Sequence, residues 1–132
     1  MNILVLCTGN SCRSQMAEGF LRDLGFDVHS AGIESHGMNI HAIKVMSEIG
    51  IDISNQYSKK INEIDLNNID VLISVCNSAK ENCPLIPNIE MHYHFSFDDP
   101  SLSKNILLYR KVRDEIKNYI FNLSKKLSKK TK

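Results

Sequence analysis

Four short segments of the chain have patterns of apolar residues that are typical of strands. They cover residues 2–6, 26–30, 70–75 and 89–95, and the first and third are almost continuously apolar. Runs of this length and composition are typical of strands that are buried on both faces of a parallel sheet. We therefore predict four β-strands, the first of them at the very start of the chain.

Apolar residues with helical spacing lie between these runs. One helical face follows the first strand and is formed by Met16, Ala17, Phe20, Leu21 and Leu24. A second helix is predicted over residues 40–49, because apolar residues recur there with the same period and Gly50 offers an end. A weaker helical stretch covers residues 60–67, and a long final helix runs from about residue 102 to beyond residue 122.

The alternation of strands and helices predicts the fold class. It favours a three-layer α/β domain in which a four-stranded parallel sheet is flanked by helices on both faces. A chain of 132 residues is long enough for one such core, so we assign residues 1–132 to a single domain with a lysine-rich tail at 125–132. Ligands of such sheets bind beyond the carboxyl ends of the strands.

Charge is unevenly distributed along the chain. The last eight residues contain five lysines, so residues 1–124 carry 11 basic and 15 acidic groups, a net charge of −4. We interpret the tail as a solvated, frayed helix end and expect no nucleic-acid partner. No segment has the length of a membrane span or the pattern of a secretory signal, so we expect a cytoplasmic protein, which we take to be a monomer.

A loop of small and polar residues follows the first strand. It reads Cys7-Thr8-Gly9-Asn10-Ser11-Cys12-Arg13-Ser14 and leads directly into the first helix. Backbone N–H groups at a helix N-terminus bind anions, and Gly9 and Asn10 are the residues expected to adopt the left-handed turns that aim them inward. The planar guanidinium of Arg13 can bind two oxygens of a tetrahedral anion. The loop is therefore predicted to bind a tetrahedral oxyanion.

Cys7 is the predicted nucleophile of this loop. A cysteine beside a helix N-terminus and an arginine has its pKa lowered from ~8.5 to about 4–7, which makes it a thiolate at neutral pH. Ser14 is expected to donate a hydrogen bond to its sulfur. The side chain of Cys12 is expected to point away from the anion and to stabilise the loop by packing.

Two further cysteines follow the third strand. Cys76 comes directly after residues 70–75, so it and Cys7 are expected at the same edge of the sheet, and Cys83 lies seven positions later. Positions seven apart in a helix are separated by ~10 Å, whereas disulfides need Cα atoms within about 7 Å. A bond between Cys76 and Cys83 would therefore require the polar segment between them to unwind.

A metal site is a competing explanation for four cysteines. The spacing of Cys7 and Cys12 fits structural zinc only marginally, and that of Cys76 and Cys83 does not fit. The chain's histidines also lack a convincing ligand spacing; they are His29, His36, His41, His92 and His94. We therefore predict no metal.

The loop resembles the active-site loop of the low-molecular-weight tyrosine phosphatase fold. Within that fold, five further stretches resemble the thioredoxin-coupled arsenate reductases. These stretches are residues 30–34 (SAGIE), 52–55 (DISN), Cys76, Cys83-Pro84 and residues 97–100 (FDDP). The phosphatases share the loop and the Asp-Pro step but generally lack the two later cysteines, so this pair is the discriminating feature. The similarity covers nearly all of the chain except its lysine-rich tail.

The resemblance implies a reaction and assigns its residues. Cys7 attacks arsenate, Cys76 attacks the Cys7 sulfur as arsenite leaves, and Cys83 moves the disulfide outward to be reduced by thioredoxin. No tightly bound cofactor is implied, and phosphate or sulfate is expected to compete with arsenate. The substrate-binding residues are Thr8, Gly9, Asn10, Ser11, Cys12, Arg13 and Ser14.

An aspartate before a proline is the expected acid–base group. From chemistry alone, Asp98 and Asp99 are equivalent candidates. The family pattern favours Asp99, which precedes Pro100, and a proline biases the preceding residue towards extended backbone angles.

One position departs from the pattern of some relatives. The resemblance implies a potassium site formed by Asn10, Glu18, Ser30 and an acidic residue, and this chain has Lys59 at the acidic position. A lysine ammonium supplies the charge of the ion, so we predict no potassium requirement.

Two other functions remain open at this stage. The same loop suits a small phosphatase that acts on phosphotyrosine or small aryl phosphates. A non-catalytic oxyanion or redox sensor, signalling through its disulfide state, is the third possibility.

Overall fold

The computed structural model describes residues 1–76, 89 and 91–130, with side chains to residue 128. The four strands are β1 (Asn2–Cys7), β2 (Asp27–Gly32), β3 (Val71–Ser74) and β4 (Met91–His94). The three α-helices are α1 (Arg13–Asp23), α2 (Ile40–Ser47) and α3 (Ile106–Lys130). Short 3₁₀ turns cover Ile61–Glu63, Leu66–Asn68 and Pro100–Leu102.

The four strands form one parallel sheet in the order β2-β1-β3-β4. β1 lies between β2 and β3, and Leu6 is in register with Ala31 on one side and Ser74 on the other. The ladder continues past β3, because the N–H of Val75 donates to the carbonyl of Leu6 at 2.9 Å. This register brings the ends of β1 and β3 to one edge of the sheet. The predicted four-stranded parallel sheet is confirmed.

The two faces of the sheet are covered differently. All three α-helices pack on one face, where Met16, Val45 and Ile116 are among the fully buried residues. The other face, represented by Leu4 and Leu72, is covered by a segment that contains the first two 3₁₀ turns. Helices therefore flank both faces of the sheet. Within the described residues, the helices on the second face are the two single 3₁₀ turns.

The weak helix predicted at 60–67 is replaced by two separate 3₁₀ turns. Asp65 explains the interruption, because its carboxylate accepts a hydrogen bond from the N–H of Asn67 at 3.1 Å. Short polar side chains of this kind bind the nearby backbone and compete with helix propagation.

Three other predicted boundaries are corrected by the structure. Ala31 and Gly32 belong to β2 and not to a loop, since the N–H of Gly32 continues the pairing by donating to the carbonyl of Lys59 at 3.0 Å. α3 begins at Ile106, because Pro100 starts a separate 3₁₀ turn before it. The lysine-rich end is helical as far as Lys130, and Leu127 within it is fully buried. Within the described residues, no helix is long and apolar enough to cross a membrane.

Candidate active site

The loop between β1 and α1 is fixed by the segment that follows β2. The carbonyl of Thr8 accepts from the N–H of Glu34 at 2.9 Å, and that of Gly9 accepts from the N–H of His36 at 3.0 Å. The carbonyl of Ser11 accepts from the N–H of Asn39 at 3.0 Å. Because these carbonyls bind the neighbouring segment, the loop has one face bonded to the protein and one face towards a cavity.

This cavity has a volume of about 80 Å³. A water molecule occupies ~30 Å³ in the liquid, so the space suits a tetrahedral oxyanion, and pockets for larger organic ligands are about 300–1,000 Å³. The walls are formed by Cys7, Thr8, Gly9, Ser11, Cys12, Arg13, His36, Asp99 and Ser101. The structure therefore brings the predicted nucleophile, arginine and Asp99 around one small space.

Asn10 belongs to the loop, but it does not line the cavity, and its side chain bonds residues behind the loop. Its side chain is fully buried, and Nδ2 donates to the hydroxyls of Ser14 at 2.8 Å and Ser30 at 2.9 Å. Its Oδ1 accepts from the backbone N–H of Lys59 at 2.8 Å and from Nε2 of Gln15 at 3.0 Å. Asn10 and Ser14 were predicted to bind substrate, but the structure places neither of them among the cavity walls.

Gly9 is a glycine for a reason other than the one predicted. Among the described non-glycine residues, only Asn10 has a positive φ, 48°, and Gly9 is not among the glycines with positive φ. A Cβ on Gly9 would lie 2.4 Å from Nδ1 of His36. A side chain at position 9 would therefore displace the imidazole that packs against this backbone, and within the loop only Asn10 makes the left-handed turn.

Arg13 is the first residue of α1 and is almost completely buried. One terminal nitrogen donates to the carbonyl of Phe97 at 3.1 Å, and the other lies 3.5 Å from Oδ2 of Asp99. These contacts hold the guanidinium at the cavity wall, where its fork can bind an oxyanion.

Asp99 is positioned by the turn that it begins. It has φ −84° and ψ 107°, and its Oδ1 accepts from the N–H of Ser101 at 3.0 Å and from the Ser101 hydroxyl at 2.6 Å. The extended conformation is the one expected before Pro100. Asp98 is exposed and is not among the cavity walls.

The cysteines differ in their surroundings. Cys7 and Cys12 are buried, and neither is in a disulfide. Burial raises the pKa of the Cys12 thiol well above its ordinary value, and the nearby Asp99 and Cys7 act in the same direction, so this thiol stays neutral. Cys76 is fully buried in the same apolar cluster as Cys7 and is disulfide-bonded, with neither Cys7 nor Cys12 as its partner. Cys83 lies outside the described residues.

Behind the loop, the structure brings together the residues of the implied potassium site. Ser30 donates to Oε1 of the buried Glu18 at 2.6 Å, and Oε2 of Glu18 pairs with Arg22 at 2.6 Å. Lys59 is buried, and this burial lowers the pKa of its ammonium, while Glu18 acts in the opposite direction. These oxygens are already bonded to protein donors and face two cationic side chains, so the residues do not fit a potassium ion.

Several residues at the site were not found from the sequence. His36 and Ser101 line the cavity, Gln15 braces Asn10, and the carbonyl of Phe97 holds Arg13. Gln15 directly follows the loop in the first turn of α1, so a helical-wheel argument would have placed it beside the loop. The sequence carries no comparable signal for the others, because they come from segments distant along the chain.

A parallel α/β sheet with a cysteine at the floor of an oxyanion-sized loop, closed by a buried arginine, defines the cysteine-dependent phosphatase class. The model of the low molecular weight phosphotyrosine protein phosphatase family matches residues 2–132, and the chain belongs to this family. The fold class predicted from the sequence is confirmed by this match.

Within the family, the chain is similar to proteins named arsenate reductase. It is 48% identical to arsenate reductase of Bacillus subtilis over 124 residues, which cover 88% of this chain and 89% of the relative. It is 51% identical to arsenate reductase 1 of Staphylococcus epidermidis over 118 residues, which cover 87% of this chain and 89% of the relative.

Solved structures give the same grouping. An arsenate reductase in the phosphate-binding state superposes with a TM-score of 0.84 and 36% identity, covering 95% of this chain and 97% of the other. The YwlE arginine phosphatase from Geobacillus stearothermophilus superposes with a TM-score of 0.81 and 25% identity, covering 98% of this chain and 94% of the other. The resemblance predicted from the sequence is confirmed.

Proposed function

We propose that this protein reduces arsenate to arsenite. The observation that carries the proposal is the shared burial of Cys7 and Cys76 at the adjoining ends of β1 and β3. A phosphatase needs only the first of these thiols, whereas a reductase needs a second one within reach of the first. The similarity to proteins named arsenate reductase supports the same choice.

In the first step, the Cys7 thiolate attacks arsenic and forms a sulfur–arsenic bond. One arsenate oxygen leaves as water, and Asp99 supplies its proton from the cavity wall. Arg13 and the loop N–H groups stabilise the charge on the remaining oxygens. The Ser14 hydroxyl accepts from Asn10, which leaves its own proton available to stabilise the Cys7 thiolate.

The second step transfers two electrons. The Cys76 thiolate attacks the sulfur of Cys7, the sulfur–arsenic bond breaks, and its electron pair leaves with arsenic as arsenite. A Cys7–Cys76 disulfide remains, and the Cys83 thiolate resolves it by attacking Cys76. Cys76 is disulfide-bonded in this structure and Cys7 is in no disulfide, which is compatible with the end of such a relay.

Thioredoxin is the proposed external reductant of the final disulfide. We propose no tightly bound cofactor, a monomeric enzyme and a cytoplasmic location, in which thiol reductants are available. Phosphate and sulfate are proposed to compete with arsenate for the loop. Because residues 1–124 have a net charge of −4, binding must come from the loop and Arg13 and not from the overall field.

The decisive experiment follows NADPH oxidation with arsenate, thioredoxin and thioredoxin reductase. We expect turnover by the wild type and none by Cys7→Ser, Cys76→Ser or Cys83→Ser. Hydrolysis of an aryl phosphate should survive in the last two variants, which shows that they are folded. Full arsenate turnover by Cys83→Ser would rule out the relay.

Phosphatase activity is the second candidate, supported by the family and by the similarity to an arginine phosphatase. It would be favoured if the wild type hydrolysed aryl phosphates but did not oxidise NADPH with arsenate. Oxyanion binding without either turnover would instead indicate a sensor.

A further inference from the structure

His36 forms part of the cavity wall although it lies far along the chain from the loop. Its backbone N–H donates to the carbonyl of Gly9 at 3.0 Å, and its side chain lines the same space as Cys7, Arg13 and Asp99. None of the proposed steps from arsenate to the final disulfide uses this imidazole.

The loop itself is adapted to this ring. A Cβ on Gly9 would lie 2.4 Å from Nδ1 and 3.0 Å from both Cε1 and Cγ of His36. A real Cβ does not approach other atoms so closely, so any other residue at position 9 would displace the imidazole. Since Gly9 does not have a positive φ, close approach of His36 is the structural reason for a glycine here.

Glu34 fixes the other side of the ring. Its Oε2 lies 2.6 Å from Nε2 of His36, and the N–H of Glu34 donates to the carbonyl of Thr8. Both side chains are more than half exposed, so the pair contributes little to stability and acts mainly by orienting the imidazole. The charged groups on the remaining cavity walls are Arg13 and Asp99.

We propose that His36 determines specificity by selecting a free tetrahedral oxyanion over its organic esters. This inference rests on the proposed function and names the substrate class of the same site. In-line attack by Cys7 directs the leaving oxygen away from the sulfur, towards the open side of the cavity. An ester carries its organic group on that oxygen, so the walls beside the opening decide whether the group fits.

The size of the cavity supports this role. Its volume of about 80 Å³ is well below the ~300–1,000 Å³ of sites that enclose organic ligands. His36 contributes a wall of this cavity, with Nδ1 towards the backbone of Gly9 and Nε2 bonded to Glu34. Removing the imidazole would widen the cavity on the side of Gly9 and make room for the organic group of an ester.

The test compares His36→Ala and His36→Gln with His29→Ala, an exposed histidine on β2 as the matched control. For each protein, kcat/KM is measured for arsenate in the coupled assay and for para-nitrophenyl phosphate. We expect His36→Ala to shift the ratio towards the ester by at least about tenfold, a size typical of removing one group from a pocket. His36→Gln retains bulk and a polar group and should restore most of the ratio, and His29→Ala should not change it.

A second measurement does not depend on turnover. Inorganic phosphate and phenyl phosphate are compared for protection of Cys7 against iodoacetamide, with mass spectrometry of the Cys7 peptide as the readout. In the wild type, inorganic phosphate should protect at a concentration at least about tenfold lower, and this preference should shrink in His36→Ala.

The two proposals fail in different ways. Equal protection by both anions in the wild type, or an unchanged preference in folded His36→Ala, would overturn the role of His36. A wild type that prefers inorganic phosphate but never oxidises NADPH with arsenate would overturn arsenate reduction alone.

Discussion

The guanidinium of Arg13 lies 3.5 Å from the carboxylate of Asp99, and both groups line the oxyanion cavity. Arg13 is almost completely buried and is also held by the carbonyl of Phe97. This arrangement places the proposed proton donor and the proposed anion-binding group side by side in the cavity that Cys7 also lines. It also distinguishes Asp99 from Asp98, which are equivalent candidates on chemistry alone.

Asp99→Asn should lower kcat/KM for arsenate by about 10²-fold or more, because the amide cannot protonate the departing oxygen. The coupled NADPH assay measures this change. Asp98→Asn is the matched control, since Asp98 is exposed and outside the cavity walls, and it should stay within about twofold of the wild type. Equal losses in both variants would contradict the assignment to Asp99.

Asn10→Ala should reduce the free energy of unfolding by about 2–4 kcal/mol, because it leaves buried partners without hydrogen bonds and forces alanine into a left-handed conformation. The amide of Asn10 bonds Ser14, Ser30, Lys59 and Gln15. Urea unfolding measures this loss of stability. Phosphate should also protect Cys7 less well against iodoacetamide in this variant. The exposed Asn55→Ala should change stability by less than about 0.5 kcal/mol. A similar small change in Asn10→Ala would show that the network is not stabilising.

Cys7 and Cys12 should react differently with iodoacetamide. Burial raises the pKa of the Cys12 thiol, so this group binds its proton throughout the neutral range and is a poor nucleophile. The native protein should therefore be labelled at Cys7 and not at Cys12 between about pH 6 and 8. Mass spectrometry of the two peptides after brief labelling makes the comparison, with urea-unfolded protein as the control in which both thiols react. Labelling of native Cys12 at a rate similar to Cys7 would contradict the raised pKa of its thiol.

Potassium should have no specific effect on the wild type. The positive charges of Arg22 and Lys59 already compensate Glu18, so the melting temperature and arsenate turnover should be the same in potassium and sodium chloride at equal ionic strength. Lys59→Asp should introduce a response to potassium, since it adds a carboxylate ligand and removes the ammonium. Lys60→Asp, at an exposed neighbouring position, is the control. A clear increase in wild-type stability or turnover with potassium would refute the prediction.

Lys59 should also make the stability of the protein depend on pH. Burial lowers the pKa of its ammonium in the folded protein below the value in the unfolded chain. The unfolded state therefore binds more protons in the interval between these two pKa values, and the contribution of Lys59 to stability rises with pH across it. At neutral pH the full cost of burying the charge is present. Replacing Lys59 with methionine should remove this alkaline rise, which urea unfolding at a series of pH values can measure.

Local patterns predicted most of the fold correctly. The apolar run before Cys7 and the helical spacing after Arg13 specify a strand, a loop and a helix from neighbouring residues alone. The prediction was wrong where side chains compete for the backbone, as Asp65 does, and where pairing with another segment extends a strand, as Lys59 does for Gly32. Periodicity carries no information about such partners.

Strand, turn and helix signals are local, so the order of residues is enough to place a cysteine and an arginine in one loop at the end of a buried strand. What surrounds that loop depends on how the chain folds back on itself. The tertiary structure placed the side chain of Asn10 behind the loop, put His36 against Gly9 and brought Asp99, rather than Asp98, to Arg13. These contacts join distant segments, and the sheet register and the packing of the connecting loops decide which of their side chains meet.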